Sequence, residues 1–273
     1  MTYRLTILGC GSSPGVPRIN GEWGACDPAN PRNRRLRCSV LIERFGPGGV
    51  TTVVVDTSPD FRQQMLAAEV KSLDGVLYTH GHADHVHGID DLRQYALVQR
   101  RRIPTFADAQ TTERLVQAFG YCFEAPEDSF YPPILDHTEI RAGEVVRIPG
   151  AGGAVEVLPV LQEHGGIASL GFRFGGDLAA LKGGLCYSAD ISGIPEQSRP
   201  LLAGLDVWIL DALQYRPHVS HFSLEQALEW IERLKPASAV LTHMHIPLDY
   251  HRVVTETPEH VQPAYDGMRI ELD

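Results

Sequence analysis

Short apolar runs, rich in Val, Ile and Leu and bounded by glycine, proline or charged residues, recur along the chain. Runs of this length and composition read as buried strands. They fall at Leu5–Leu8, Ser39–Glu43, Thr52–Val55, Gly75–Thr79, Val155–Val160, Gly171–Phe174, Leu185–Ser188, Val207–Leu210, Ala239–Thr242 and Arg269–Leu272. Helical spacing is found at Asp60–Ala68, Thr112–Phe119 and Leu224–Leu234. In the last, Leu224, Ala227, Leu228, Ile231 and Leu234 share one face. Ser223, three residues before Gln226, completes a capping box there. Gly46-Pro47-Gly48-Gly49 and Gly150–Gly153 read as hairpin turns. Strands dominate and do not alternate regularly with helices, so the expected class is α+β: two sheets packed together with helices outside, rather than a doubly wound parallel sheet.

The chain has 273 residues, without a low-complexity tract, a clear linker or a short repeat, so one domain spanning 1–273 is expected. Nothing approaches the roughly 18 consecutive apolar residues of a membrane span. The first residues lack the basic and apolar regions of a signal peptide. The five cysteines are odd in number and scattered, which fits a reducing cytoplasm better than a disulfide scaffold. A formal net charge of −10 argues against long nucleic acid as a partner. A small anion remains compatible, because local metals and arginines outweigh a distant field.

One segment adds chemistry to this pattern. Thr79-His80-Gly81-His82-Ala83-Asp84-His85-Val86-His87-Gly88 follows the apolar run Gly75–Tyr78 and gathers four of the chain's 12 histidines. Imidazole and carboxylate are the ligands preferred by zinc and its first-row neighbours, so a strand delivering His80, His82, Asp84 and His85 onto one loop predicts a metal site. Four ligands cannot saturate two ions. His164, Asp190 and His243 each end a further apolar run, where loops gather and sites are built.

The set His80-x-His82-x-Asp84-His85, His164, Asp190 and His243 resembles the metallo-β-lactamase superfamily of binuclear hydrolases. The resemblance implies an αββα sandwich of two mixed sheets. It implies one metal on His80, His82 and His164, a second on Asp84, His85 and His243, and Asp190 between them. Asp56 resembles the buried aspartate that the superfamily places behind the metal loop. Gly9–Pro17, Pro31–Arg37, His218–Ser223 and Ala264–Met268 are similar to the branch containing the PhnP-type cyclic phosphodiesterases. One departure stands out. That branch often carries a Cys-x-Cys-x-x-Cys cluster for a structural zinc, whereas Gly21–Cys26 here has a single cysteine. No structural zinc is therefore expected.

The resemblance implies two divalent cations per chain, Zn2+ or Mn2+, and hydrolysis of a small cyclic or nucleotide-like phosphodiester by a metal-bridging hydroxide. Two such ions roughly 3.5–4 Å apart bring the pKa of water near 7. His221, just before the helix that starts after Ser223, is the expected proton donor to the leaving group. Asp211 is expected to orient either His221 or a metal ligand, and Asp84 completes the catalytic set. His218 is either a substrate contact or a surface residue. The run Arg32, Arg34, Arg35 and Arg37 is either a phosphate clamp, with Arg35 its candidate contact, or a solvated face. His87 lies outside the ligand spacing, and Arg100–Arg102 reads as helix-end surface charge. Tyr121–Pro133 reads as a loop near the site or an oligomer contact, and a homodimer is the expected assembly. The competing functions are a tRNA 3′-end endonuclease, disfavoured by net acidity, and a thioester or lactam hydrolase. A flavodiiron-type oxidoreductase would place a glutamate where His82 stands.

Overall fold

The computed structural model describes residues 2–125 and 129–272. Residues 126–128, within the stretch expected as a loop or dimer contact, lie outside the described residues. The first sheet is built by β1 (Thr2–Gly9), β2 (Ser39–Gly46), β3 (Gly49–Val55), β4 (Gly75–Leu77), β5 (Ile103–Ala107) and β6 (Leu135–Glu139). The second is built by β7 (Val146–Ile148), β8 (Val155–His164), β9 (Ile167–Phe174), β10 (Leu185–Ser188), β11 (Val207–Asp211), β12 (Ser238–Thr242) and β13 (Val261–Pro263). The chain then returns to the first sheet as β14 (Arg269–Leu272), which pairs with β1.

Each sheet has seven strands among the described residues, in the orders β14-β1-β2-β3-β4-β5-β6 and β13-β12-β11-β10-β9-β8-β7. Both are mixed. Antiparallel pairing holds from β14 to β3 and from β7 to β10, and parallel pairing holds from β3 to β6 and from β10 to β13. The Gly46–Gly49 hairpin closes β2 on β3, and the turn at Gly150–Gly153 joins β7 to β8, as expected.

The period of two along each strand sorts side chains into two cores. Leu5 and Ile7, Val40 and Ile42, Val53 and Val55, and Leu77 face the second sheet. Leu41, Val54, Val76 and Tyr78 face outward, against α1 (Phe61–Ala67), α3 (Leu92–Gln99) and α4 (Ala109–Phe119) through Phe61, Met65, Leu92 and Leu115. Burial on both faces explains why these strands read as continuous apolar runs. The one-turn α2 (Ala83–Val86) lies inside the histidine loop. On the other side, α5 (Leu224–Leu234) and α6 (Tyr250–Glu256) bury Leu224, Ala227, Ile231 and Val253. The layering is αββα, and the expected capping box of α5 is present in full.

Candidate metal centre

The ends of six strands deliver the polar residues to one edge of the sandwich. His80, His82, Asp84 and His85 follow β4, His164 ends β8, Asp190 follows β10 and His243 follows β12. Asp56 follows β3, and Asp211 ends β11. The histidine loop is laced to the exit of β3: Thr57 N–H donates to the His85 carbonyl and Gly88 N–H to the Thr57 carbonyl, both at 2.8 Å. Asp56 and His243 hold left-handed φ angles of 65° and 56°. Such strain in residues other than glycine persists where the surroundings over-determine it, as around a site.

The hydrogen bonds fix which ring nitrogens remain free. His85 Nδ1–H donates to Asp56 Oδ2 at 2.7 Å, and His164 Nδ1–H to the Ser220 carbonyl at 2.7 Å. Thr79 Oγ1 donates to Asp56 Oδ2 at 2.8 Å and so accepts from His80 Nδ1–H at 3.0 Å. In His80 and His164 Nε2 is left with its lone pair pointing inward, and His85 turns its Nε2 the same way. His80 Nε2 and His164 Nε2 then both face His82 Nδ1, at 2.9 and 3.2 Å. One His82 proton can satisfy at most one of these contacts. A cation accepted by all three nitrogens satisfies them together, and bonds of about 2.0 Å imply ligand atoms about 3.3 Å apart.

Asp190 divides its oxygens between two sets. Oδ2 lies 3.8 Å from His80 Nε2 and 3.6 Å from His164 Nε2. Oδ1 lies 3.1 Å from His85 Nε2 and 3.4 Å from His243 Nε2. The ligand atoms of His80, His82 and His164 form one group and those of Asp84, His85, Asp190 and His243 another, each within 4.8 Å. His85 Nε2, His243 Nε2 and Asp190 Oδ1 are buried and have no hydrogen-bond partner. Buried polar atoms without partners are costly, so this donor set fits a metal site.

Charge points the same way. Asp56, Asp190 and Asp211 are buried and Asp84 is partly buried, and the ion pairs they make among the described residues are with histidines alone. Burial opposes charge on His85, yet Asp190, Asp84 and Asp56 outweigh it and raise its pKa well above the ordinary value. Burial lowers the pKa of His80, His164 and His243, the last to about 3. Those rings are neutral at pH 7, the form that binds a metal.

Asp56 orients both groups. Besides His85 it accepts from Thr79 N–H at 2.8 Å, and through Thr79 it holds His80. Asp56→Ala is expected to weaken metal affinity about 10–100-fold, read by competition with a chelating dye. Unchanged affinity would remove this role.

His221 and Asp211 meet as expected, with His221 Nδ1 2.7 Å from Asp211 Oδ2. The His221 ring stacks on His243 with centroids 4.5 Å apart and stands edge-on to His164 at 4.7 Å. His218 lies beside it, exposed, with ring centroids 5.3 Å apart. His87 points away from the cluster and rests against Phe119.

Arg35 is a correction. It is 1% exposed and donates to the Leu248 carbonyl at 2.7 Å, the His245 carbonyl at 3.4 Å and Asn33 Oδ1 at 3.2 Å. A guanidinium so enclosed holds the N-terminal segment to the stretch before α6 and is out of reach of substrate. Its neighbours are also committed, Arg32 over Tyr250 and Tyr265, Arg34 over Trp23, and Arg37 to Asp60. Arg101 likewise does more than decorate a helix end, donating to Leu73 and Asp74. The Cys26 thiol is buried beside Val16 and Ile246 and donates to the Ile246 and Leu248 carbonyls. The roles of Thr79 and Ser220 were not foreseen, since both depend on which loops meet in three dimensions.

The fold and the His/Asp cluster define a metallohydrolase, and comparison with known proteins agrees. Residues 51–244 match the beta-lactamase superfamily domain, and the chain belongs to that superfamily. Within it the chain is PhnP-like: a diphosphatase from the PhnP family is 33% identical, with 100% of this chain and 98% of that chain covered, at a TM-score of 0.86. Zn2+-bound PqqB from Methylobacterium extorquens shares the fold at a TM-score of 0.75 and 18% identity, over 98% of this chain and 100% of that one. A Porphyromonas gingivalis protein named octanoyltransferase is 30% identical over 99% of this chain, which spans 52% of that protein's length. Among the described residues no helix is long and apolar enough to cross a membrane.

Proposed function

We propose that the chain is a two-metal phosphodiesterase acting on small cyclic or nucleotide-like phosphate esters. The observation that carries this reading is the division of the Asp190 oxygens between two histidine sets. His80, His82 and His164 would hold one ion, Asp84, His85 and His243 the other, with Asp190 shared. Zn2+ and Mn2+ both suit this mixed donor set. When bound, two such ions supply Lewis acidity toward phosphoryl oxygens and a water of lowered pKa. The diphosphatase from the PhnP family, alike along the whole chain, supports phosphoryl rather than carbonyl chemistry.

The remaining work falls to the chain's own groups. Burial opposes charge on His221, but its hydrogen bond to Asp211 and the charges of Asp211 and Asp190 raise its pKa above the ordinary value. These contacts favour the protonated ring over what an isolated imidazole would show. Asp211 fixes Nδ1, so Nε2 is the nitrogen that gives a proton to the departing oxygen. Asp84 is partly exposed, and against the pull of burial His85 holds its carboxyl below the usual range. It stays ionised and able to accept a hydrogen bond from a water at the site.

Metal-loaded protein is expected to hydrolyse bis(p-nitrophenyl) phosphate and 2′,3′-cyclic nucleotides, and Asp84→Ala to lose that activity. Cleavage of thioesters or lactams with phosphodiesters untouched would overturn the reading. The relative named octanoyltransferase does not favour that rival, since about half of its length lies outside the match.

A further inference from the structure

Beside the metal centre lies a cavity of about 280 Å3, on the side of His80, His82 and His164. Its walls are His82 from the histidine loop, Gln110, Thr111 and Arg114 from α4, and Ile167 and Ala168 from the start of β9. The cavity thus opens between the two loops that carry His82 and His164. Gln110 and Arg114 are four residues apart on α4 and project from the same face. The stem of Arg114 packs against the histidine loop: a Cβ placed on Gly81 would sit 3.0 and 3.2 Å from its Cβ and Cγ. Gly81 thus leaves room for the Arg114 stem beside the loop that carries His82.

Arg114 is exposed, and among the described residues its guanidinium has no hydrogen bond, ion pair or aromatic partner. Arg32, Arg34, Arg35 and Arg37, the arginines the sequence singled out, are all committed elsewhere. In a chain of net charge −10, an exposed arginine without a partner among the described residues, lining a cavity that a metal ligand also lines, is suited to an anion. A planar fork of N–H donors recognises phosphate or carboxylate by paired hydrogen bonds.

We infer that Arg114, assisted by Gln110, binds a second phosphoryl group, so that the preferred substrates are linear phosphodiesters carrying an additional phosphate next to the scissile one. This rests on the phosphodiesterase reading for the scissile group, but binding tests it without turnover. With one phosphoryl group held by the metal ligands, the next group of a linear diphosphate would enter the cavity that His82, Gln110 and Arg114 line. Arg114 is then a specificity residue, and the hydrolytic step itself does not require it.

The test uses the metal-loaded protein and two adenosine ligands differing by one phosphoryl group, adenosine 5′-monophosphate and adenosine 5′-(α,β-methylene)diphosphate, titrated by calorimetry. Losing hydrogen bonds to a charged group, Arg114→Ala is expected to weaken the diphosphonate about tenfold or more and the monophosphate less than about threefold. Arg114→Lys should restore part of the loss, since it keeps the charge without the fork. In kinetics, KM for ADP-ribose should rise while kcat/KM for bis(p-nitrophenyl) phosphate stays near the unsubstituted value. Equal weakening of both ligands, or none, would overturn the inference. A preference for the diphosphonate that depends on Arg114, in a protein that cleaves no phosphodiester, would support this anion site and refute the phosphodiesterase reading instead.

Discussion

Asp190→Ala is expected to reduce bound metal from two ions per chain to one or none and to lower kcat/KM by at least about a thousandfold. The magnitude follows from position. Both oxygens of Asp190 face ring nitrogens, His80 and His164 on one side and His85 and His243 on the other, at 3.1 to 3.8 Å. Although burial raises its pKa, His243, His85 and His80 hold the carboxyl well below the usual range, so it is an anion at neutral pH. Removing it takes away a carboxylate that faces all four rings. Metal analysis and steady-state kinetics on the same sample check the result. A variant that keeps both ions and activity within about tenfold would show that the bridge is dispensable.

The second large effect concerns His221. His221→Ala is expected to retain both ions while losing about 10²–10⁴ in kcat toward esters with an alkyl leaving group. Toward p-nitrophenyl esters, whose leaving anion is stable without a proton, the loss should be much smaller. This split separates a proton donor from a residue that merely packs. The control matters because the His221 ring lies within ligand distance of His164 and Asp190, and also of Asp211 and His243. Its Nδ1 is occupied by Asp211, and the ring is stacked on His243. Metal loss in the variant would place His221 in the coordination set and remove it as the acid.

The interior of the fold was legible in the sequence because both faces of its central strands are buried. Val53, Val54 and Val55 alternate between the two cores yet are all apolar, so β3 stands out without any periodicity. The strands not foreseen were β5, β6, β7 and β13. Three of these, β6, β7 and β13, form sheet edges. There the neighbouring strand decides pairing, and sequences such as Leu-Asp-His-Thr-Glu in β6 carry little pattern. β5 contains Pro104, which argues against a strand locally although its neighbours are buried. α3 was missed because Leu97 and Val98 are exposed at 60% and 63%, which blurs its apolar face.

At the site the same division holds. The metal-competent residues were legible because each ends an apolar strand, and strand ends meet at one edge of a sandwich. The arginines were not. Arg35 sits in a basic run that suggests solvent or phosphate, and only the packing against Leu248 and His245 reveals a buried tie. Arg114 sits alone within α4, and nothing local distinguishes it. Its interest comes from Gly81, 33 positions earlier in the chain, leaving room for it.

Anomalous diffraction from crystals of metal-loaded protein decides whether Asp190 is shared by a pair of cations. Two peaks about 3.5–4 Å apart are expected, one among His80, His82 and His164, the other among Asp84, His85 and His243, with Asp190 touching both. A single peak, or a peak held by Asp211, His221 and His243 instead, would rule out a metal pair bridged by Asp190.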